Sequence, residues 1–155
     1  MLVLDTSAYI NGRKDHYPEK TFPGVWTLVA EAMRDGRIFC PREVYRELDN
    51  EPEAAKWIKE NDLDSLFVDP DEAIQRAVGL IYSAFPAPGK RDGADPFIIA
   101  EAQARGFTVV TYEGRAFAGV PHSKWHRSIP GICAQFNVPC ATLPEALAML
   151  GAEFS

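Results

Sequence analysis

Four carboxylates stand where their placement, more than their type, suggests chemistry. Asp5 closes the apolar run MLVLD, Glu113 falls two residues past the run FTVVT, Asp95 precedes Pro96 in ADPFIIAEAQARG, and Glu47 lies within PREVYRELD. Four carboxylates drawn together repel one another strongly. One or two hard cations such as Mg²⁺ or Mn²⁺ relieve that repulsion, because they take oxygen ligands and keep some of their waters. Each acid also has a plain structural reading. Asp95 before a proline suits a helix N-cap, Glu47 suits a surface pair with Arg46 or a lysine, and Glu113 beside Gly114 suits a turn. Asp5 is the least ordinary, since a carboxylate directly after a buried strand is costly without a partner or a metal.

The acids meet only if the elements carrying them converge. MLVLD reads as a buried strand, with a helix opening at Thr6. Pro23 and the apolar spacing of Val25, Trp26, Val29, Ala30 and Met33 predict a helix that stops at Gly36. Arg37 to Cys40 follows as a strand, and Pro41 opens a helix with Val44, Tyr45 and Leu48 on one face. Pro52 to Glu60 is a further predicted helix, Ser65 to Val68 a short strand, and Asp71 to Phe85 a long helix broken by Pro86, Pro88 and Gly89. The segment from Asp95 to Gly106 has the start and stop of a helix, and Phe107 to Thr111 is a buried strand. A loop from Tyr112 to Ser128, a helix near Pro130, a turn at Val138 to Cys140 and a helix from Leu143 to Leu150 complete the chain.

Short apolar strands alternating with amphipathic helices predict an α/β fold, a three-layer α/β/α sandwich with a mainly parallel central sheet, over residues 1–155 as one domain. Ligands in such sheets bind at the carboxyl ends of the strands. Asp5 and Glu113 then face one edge, and Asp95 and Glu47 converge on it from flanking helices.

Composition narrows the partners. The chain has 155 residues, 46% hydrophobic and 25% charged, in the range of folded domains. A formal charge of -6 has the wrong sign for a protein that coats nucleic acid through bulk charge, so a nucleic-acid role needs a local site. No apolar run approaches the ~20 residues of a membrane span and no secretory signal opens the chain, so no membrane partner and a cytoplasmic location are expected. Cys40, Cys133 and Cys140 are an odd number without CxxC spacing, which argues against a disulfide framework or a thiolate zinc site.

The ordered segments LDTSAYI, VYREL, GADPFIIAEA and VVTYEG resemble the motifs of PIN-domain ribonucleases. The match looks closest to the VapC-like branch, through NGRKDHYPEKTFPGVW after the first motif and IPGIC near the end. The resemblance implies a PIN-like fold and assigns Asp5, Glu47, Asp95 and Glu113 as the catalytic and metal-binding quartet, with Thr6 or Ser7 as hydroxyl support. Thr111 is a further supporting candidate, as is Asp92, three residues before Asp95, for which the run Arg91-Asp92-Gly93 equally suits a surface turn. It implies a Mg²⁺- or Mn²⁺-dependent endoribonuclease that leaves a 5′-phosphate and a 3′-hydroxyl, often the toxin paired with a cognate antitoxin protein. Family members are often homodimers. The fourth acid is commonly Asp, whereas this chain has Glu113.

RNA as substrate calls for cations and rings. Arg13, Lys14, His16, Tyr17 and Lys20 form one such set, and Arg115, His122, Lys124, Trp125, His126 and Arg127 a second. His122 and His126 have zinc spacing on a helix, but Pro121 favours a loop. A phosphatase of the haloacid dehalogenase type needs a second Asp where this chain has Ser7, and a response-regulator receiver needs an acidic pair where only Asp5 stands. The alternative of another class is a catalytically weakened PIN-like scaffold that binds RNA or a protein partner.

Overall fold

The computed structural model describes residues 1–83, 93–112 and 129–152. Four strands form one sheet: β1 (Leu2–Leu4), β2 (Ile38–Phe39), β3 (Thr108–Val110) and β4 (Cys140–Ala141), in the order β2-β1-β3-β4. All three pairings are parallel, with Leu2 opposite both Ile38 and Thr108, and Val109 opposite Cys140. A parallel sheet needs crossovers that cover its faces. Among the described residues eight α-helices provide them, and the result is a three-layer α/β/α sandwich.

β1 is central, so Leu2, Val3 and Leu4 are all buried, and the strand shows no alternation of apolar and polar residues. The helices are α1 (Thr6–Asn11), α2 (Pro23–Arg34), α3 (Arg42–Leu48), α4 (Pro52–Glu60), α5 (Glu72–Tyr82), α6 (Asp95–Arg105), α7 (Ile129–Gln135) and α8 (Leu143–Met149). Local chemistry accounts for most of their ends. Asp71 caps α5 by accepting from the Ile74 N–H at 2.9 Å. Thr142 and Glu145 form a reciprocal capping box on α8. Gly106 ends α6 at φ 73°, a left-handed conformation in which a Cβ is strained.

Two local expectations change. Ser65 to Val68 is not a strand: Asp64–Leu66 is a 3₁₀ turn, and Val68 alone makes a parallel bridge to Pro41, with its N–H on Cys40 O at 2.8 Å. The expected turn at the end of Val138 to Cys140 runs into a strand, because Cys140 and Ala141 pair with β3. Part of the stretch after Asn11 is helical, a π turn over Gly12–His16 in which the Tyr17 N–H reaches back to Gly12 O at 2.8 Å. Close packing explains the glycine there, since a Cβ on Gly12 would lie 2.6 Å from Leu143 Cδ2 and 3.2 Å from the Trp26 ring. No helix among the described residues is long and apolar enough to cross a membrane.

Candidate active site

Asp5 leaves β1 at the carboxyl edge of the sheet, where its N–H continues the ladder to Val110 O at 2.9 Å. Its side chain is buried and acts as the N-cap of α1: Oδ1 accepts from the Ala8 N–H at 2.8 Å and from Ser7 Oγ–H at 2.7 Å. The cap role expected of Asp95 on α6 is not seen, because the N-cap position there is Ala94. Asp95 is the first residue of α6 itself, preceded by Ala94, which makes no side-chain cap bond, and followed by Pro96. A carboxylate in the first turn of α6 faces the positive end of the helix dipole.

Glu47 does not pair with Arg46, which instead binds Glu43 at 2.9 Å on the surface. It is half-buried, and its Oε1 accepts both from Thr6 Oγ1–H at 2.8 Å and from the Ala94 N–H at 3.2 Å. One oxygen atom thus ties the residue after Asp5 to the residue before Asp95. Ser7 extends the network, because its Oγ also accepts from the Tyr112 N–H at 3.3 Å. Thr111, on the same sheet edge, is buried with its N–H on Ala141 O at 3.0 Å. Glu113 and Asp92 lie outside the described residues, as do Arg115, His122, Lys124, Trp125, His126 and Arg127.

The groups behind the acids are held neutral. Burial is the first cause that raises the Tyr9 hydroxyl well above its ordinary range, with Cys40 and Asp5 adding to it. Cys40 is pushed up to about 12 by burial, against a hydrogen bond with Tyr9 that acts in the other direction. The Cys133 thiol is raised first by its hydrogen bond with Cys140 and by burial, then by the negative field of Cys140, Asp5 and Asp95. Tyr9 thus lies within the field of Asp5, and Cys133 within that of both aspartates.

The donor chemistry suits a hard cation, with Asp5, Glu47 and Asp95 offering carboxylate oxygens and Glu47 fixed through one oxygen only. Among the described residues no three His, Cys, Asp or Glu side chains converge closely enough to hold an ion. A cleft of about 280 Å³ opens beside Glu47, Gly93 and Ala94, lined also by Glu43, Arg46 and Asn50.

The first basic set is arranged differently from a phosphate grip. The Arg13 side chain is only 10% exposed, with its guanidinium 5.3 Å from the Trp57 ring centre and 5.9 Å from that of Trp26. It also pairs with Glu19 and donates to Glu53 O at 3.0 Å. Arg13 thus braces α2 and α4 and is committed to the fold. Lys14 approaches Glu51 at 3.7 Å. Both line a cleft with Lys20, and there three carboxylates, Glu19, Glu51 and Glu53, offset the three cations. The contribution of Tyr112 was not foreseen from sequence, although its place between Thr111 and Glu113 was a signal.

No curated protein and no solved structure matches the chain. A family described as a domain of unknown function, DUF4411, matches residues 2–154. The chain belongs to the DUF4411 family.

Proposed function

We propose that this protein is a Mg²⁺- or Mn²⁺-dependent endoribonuclease of the PIN-like, VapC-related type, acting in the cytoplasm as the toxin of a toxin–antitoxin pair. The observation that carries the nuclease reading is the junction at Glu47 Oε1, which joins Thr6 to Ala94 and so gathers the neighbours of Asp5 and Asp95 at the carboxyl edge of the sheet. Support for the toxin role comes from the resemblance of LDTSAYI, VYREL, GADPFIIAEA and VVTYEG to that branch.

Asp5 and Asp95 would hold the ion, with Glu47 and Glu113 holding a second ion or orienting a water. When bound, such an ion offsets charge on the phosphate and lowers the pKa of a water at the scissile bond. The chain itself supplies preorganisation. Ser7 and the Ala8 N–H set the rotamer of Asp5, while Thr6 and the Ala94 N–H set that of Glu47, so neither carboxylate must reorder when the phosphodiester arrives. RNA is the substrate, and an antitoxin protein would cover the acidic edge.

Purified protein incubated with RNA in Mg²⁺ or Mn²⁺ tests the reading. Cleavage is expected of the wild type and lost in Asp5→Asn and Asp95→Asn. Equal cleavage by all three preparations would mean a contaminating nuclease and refute it. RNA retention without cleavage in either metal would favour a binding scaffold instead.

A further inference from the structure

Aromatic rings that the acid network does not use flank the carboxylates. Tyr112 lies two residues past β3, and its N–H is two hydrogen bonds from Asp5, through Ser7 Oγ at 3.3 and 2.7 Å. Its ring centre lies 5.0 Å from that of His16, the planes tilted by 48°. His16 meets the edge of Tyr17 at 6.1 Å, and Tyr17 meets Phe22 at 5.6 Å and 87°. A row of four rings therefore runs from the end of β3 to Phe22, which is 41% exposed, with the other three half-buried.

The π turn makes this row. It carries the chain from Gly12 to His16, whose ring meets that of Tyr112, and π turns recur at functional positions. His16 is a costly choice for filling space, because its Nδ1 is buried without a hydrogen-bond partner and a phenyl ring would avoid that penalty. The Tyr112 hydroxyl is held only loosely, 3.5 Å from Asp15 Oδ2. Around these rings the described charges are mixed, Asp5 and Asp15 against Arg13 and Lys14 of the same π turn. Stacking needs no charge of either sign, because every base offers an uncharged face.

We propose that Tyr112 and His16 form a stacking subsite for one unpaired base of an RNA strand lying across the carboxylates, a reading that rests on the nuclease function proposed above. The rings hold the strand beside the acids through the face of a base rather than through its phosphates.

The test uses the Asp5→Asn protein in Mg²⁺, so that RNA stays intact, and a single-stranded hexanucleotide carrying 2-aminopurine at each position in turn. The expected result is fluorescence quenching confined to one or two adjacent positions. Tyr112→Ala or His16→Ala should abolish that quenching and weaken binding about ten-fold, the size of one lost base stack. Tyr112→Phe and His16→Phe, which keep a ring, should retain both. No binding, quenching spread evenly along the strand, or folded Ala variants that bind within two-fold of their parent would each overturn the subsite. The Asp5→Asn protein itself gives the quenching map should an Ala variant fail to fold. The two readings fail separately: wild type that stacks a base but never cleaves RNA refutes the nuclease, whereas cleavage that depends on Asp5 and Asp95 with no local quenching refutes the subsite.

Discussion

Replacing Glu47 separates the shape of the acidic junction from its charge. Oε1 accepts a hydroxyl hydrogen bond from Thr6 at 2.8 Å and a longer one from the Ala94 N–H at 3.2 Å. A hydrogen bond to a charged group contributes roughly 1.5–3 kcal/mol. The longer bond and the half-exposed setting reduce the pair together to about 2.5 kcal/mol, which Glu47→Ala should lose. For a chain of 155 residues a loss of that size lowers Tm by roughly 8 °C. Glu47→Gln keeps an amide oxygen in the same place and can accept both bonds, so it should lose less than about 1 kcal/mol. Urea and thermal melts of the three proteins measure this, with an unchanged urea slope showing that the same transition is compared. Glu47→Ala melting with the wild type would refute the junction. Glu47→Gln falling as far as Glu47→Ala would show that charge, not the accepting oxygen, holds α1 to α6. Because the Gln variant retains the fold and lacks the charge, RNA cleavage by it reads the electrostatic role alone.

Other perturbations probe the scaffold. Gly12→Ala drives a methyl to 2.6 Å from Leu143 Cδ2 and should cost about 1–3 kcal/mol; a double-mutant cycle with Leu143→Ala should recover part of that loss, and strict additivity would count against the contact. Burial of Cys40 makes stability fall in alkali. Below pH 9 the thiol is protonated whether or not the chain is folded, but between 9 and about 12 only the unfolded chain releases the proton, which costs the fold up to about 1.4 kcal/mol per pH unit. Urea melts from pH 9 to 11 should therefore show a shallower decline for Cys40→Ala, and parallel slopes would contradict the assignment.

Much of the architecture was legible because it follows from local pattern. An apolar run ending in an acid placed Asp5 at the strand edge, and Pro23, Pro52 and Gly106 marked helix ends that the structure keeps. What escaped the sequence depends on partners far along the chain. The π turn at Gly12 answers to Trp26 and Leu143, and the burial of Arg13 answers to two tryptophans that no local window contains. The failed cap reading of Asp95 has a similar origin. Local pattern made Asp95 a cap, but the chain enters α6 with Ala94 already in helical conformation, its N–H taken by Glu47. At the site, Thr6 and Ser7 were readable as hydroxyl support, while the particular carboxylate each one serves was not.

The strand order β2-β1-β3-β4 also sets a schedule for synthesis. β1 is made before either strand that pairs with it, and one flank of it stays open until residues 108–110 have been made. Ser7 likewise waits 105 residues for the Tyr112 amide, and Glu47 waits 47 for that of Ala94. A nascent chain thus carries an exposed apolar edge from the emergence of β1 to that of β3, a stage at which strand edges invite misassembly. It also carries an acidic centre that is still in pieces. Under the proposed function, the growing chain cannot cut the message that encodes it until the codons for α6 and β3 have been read.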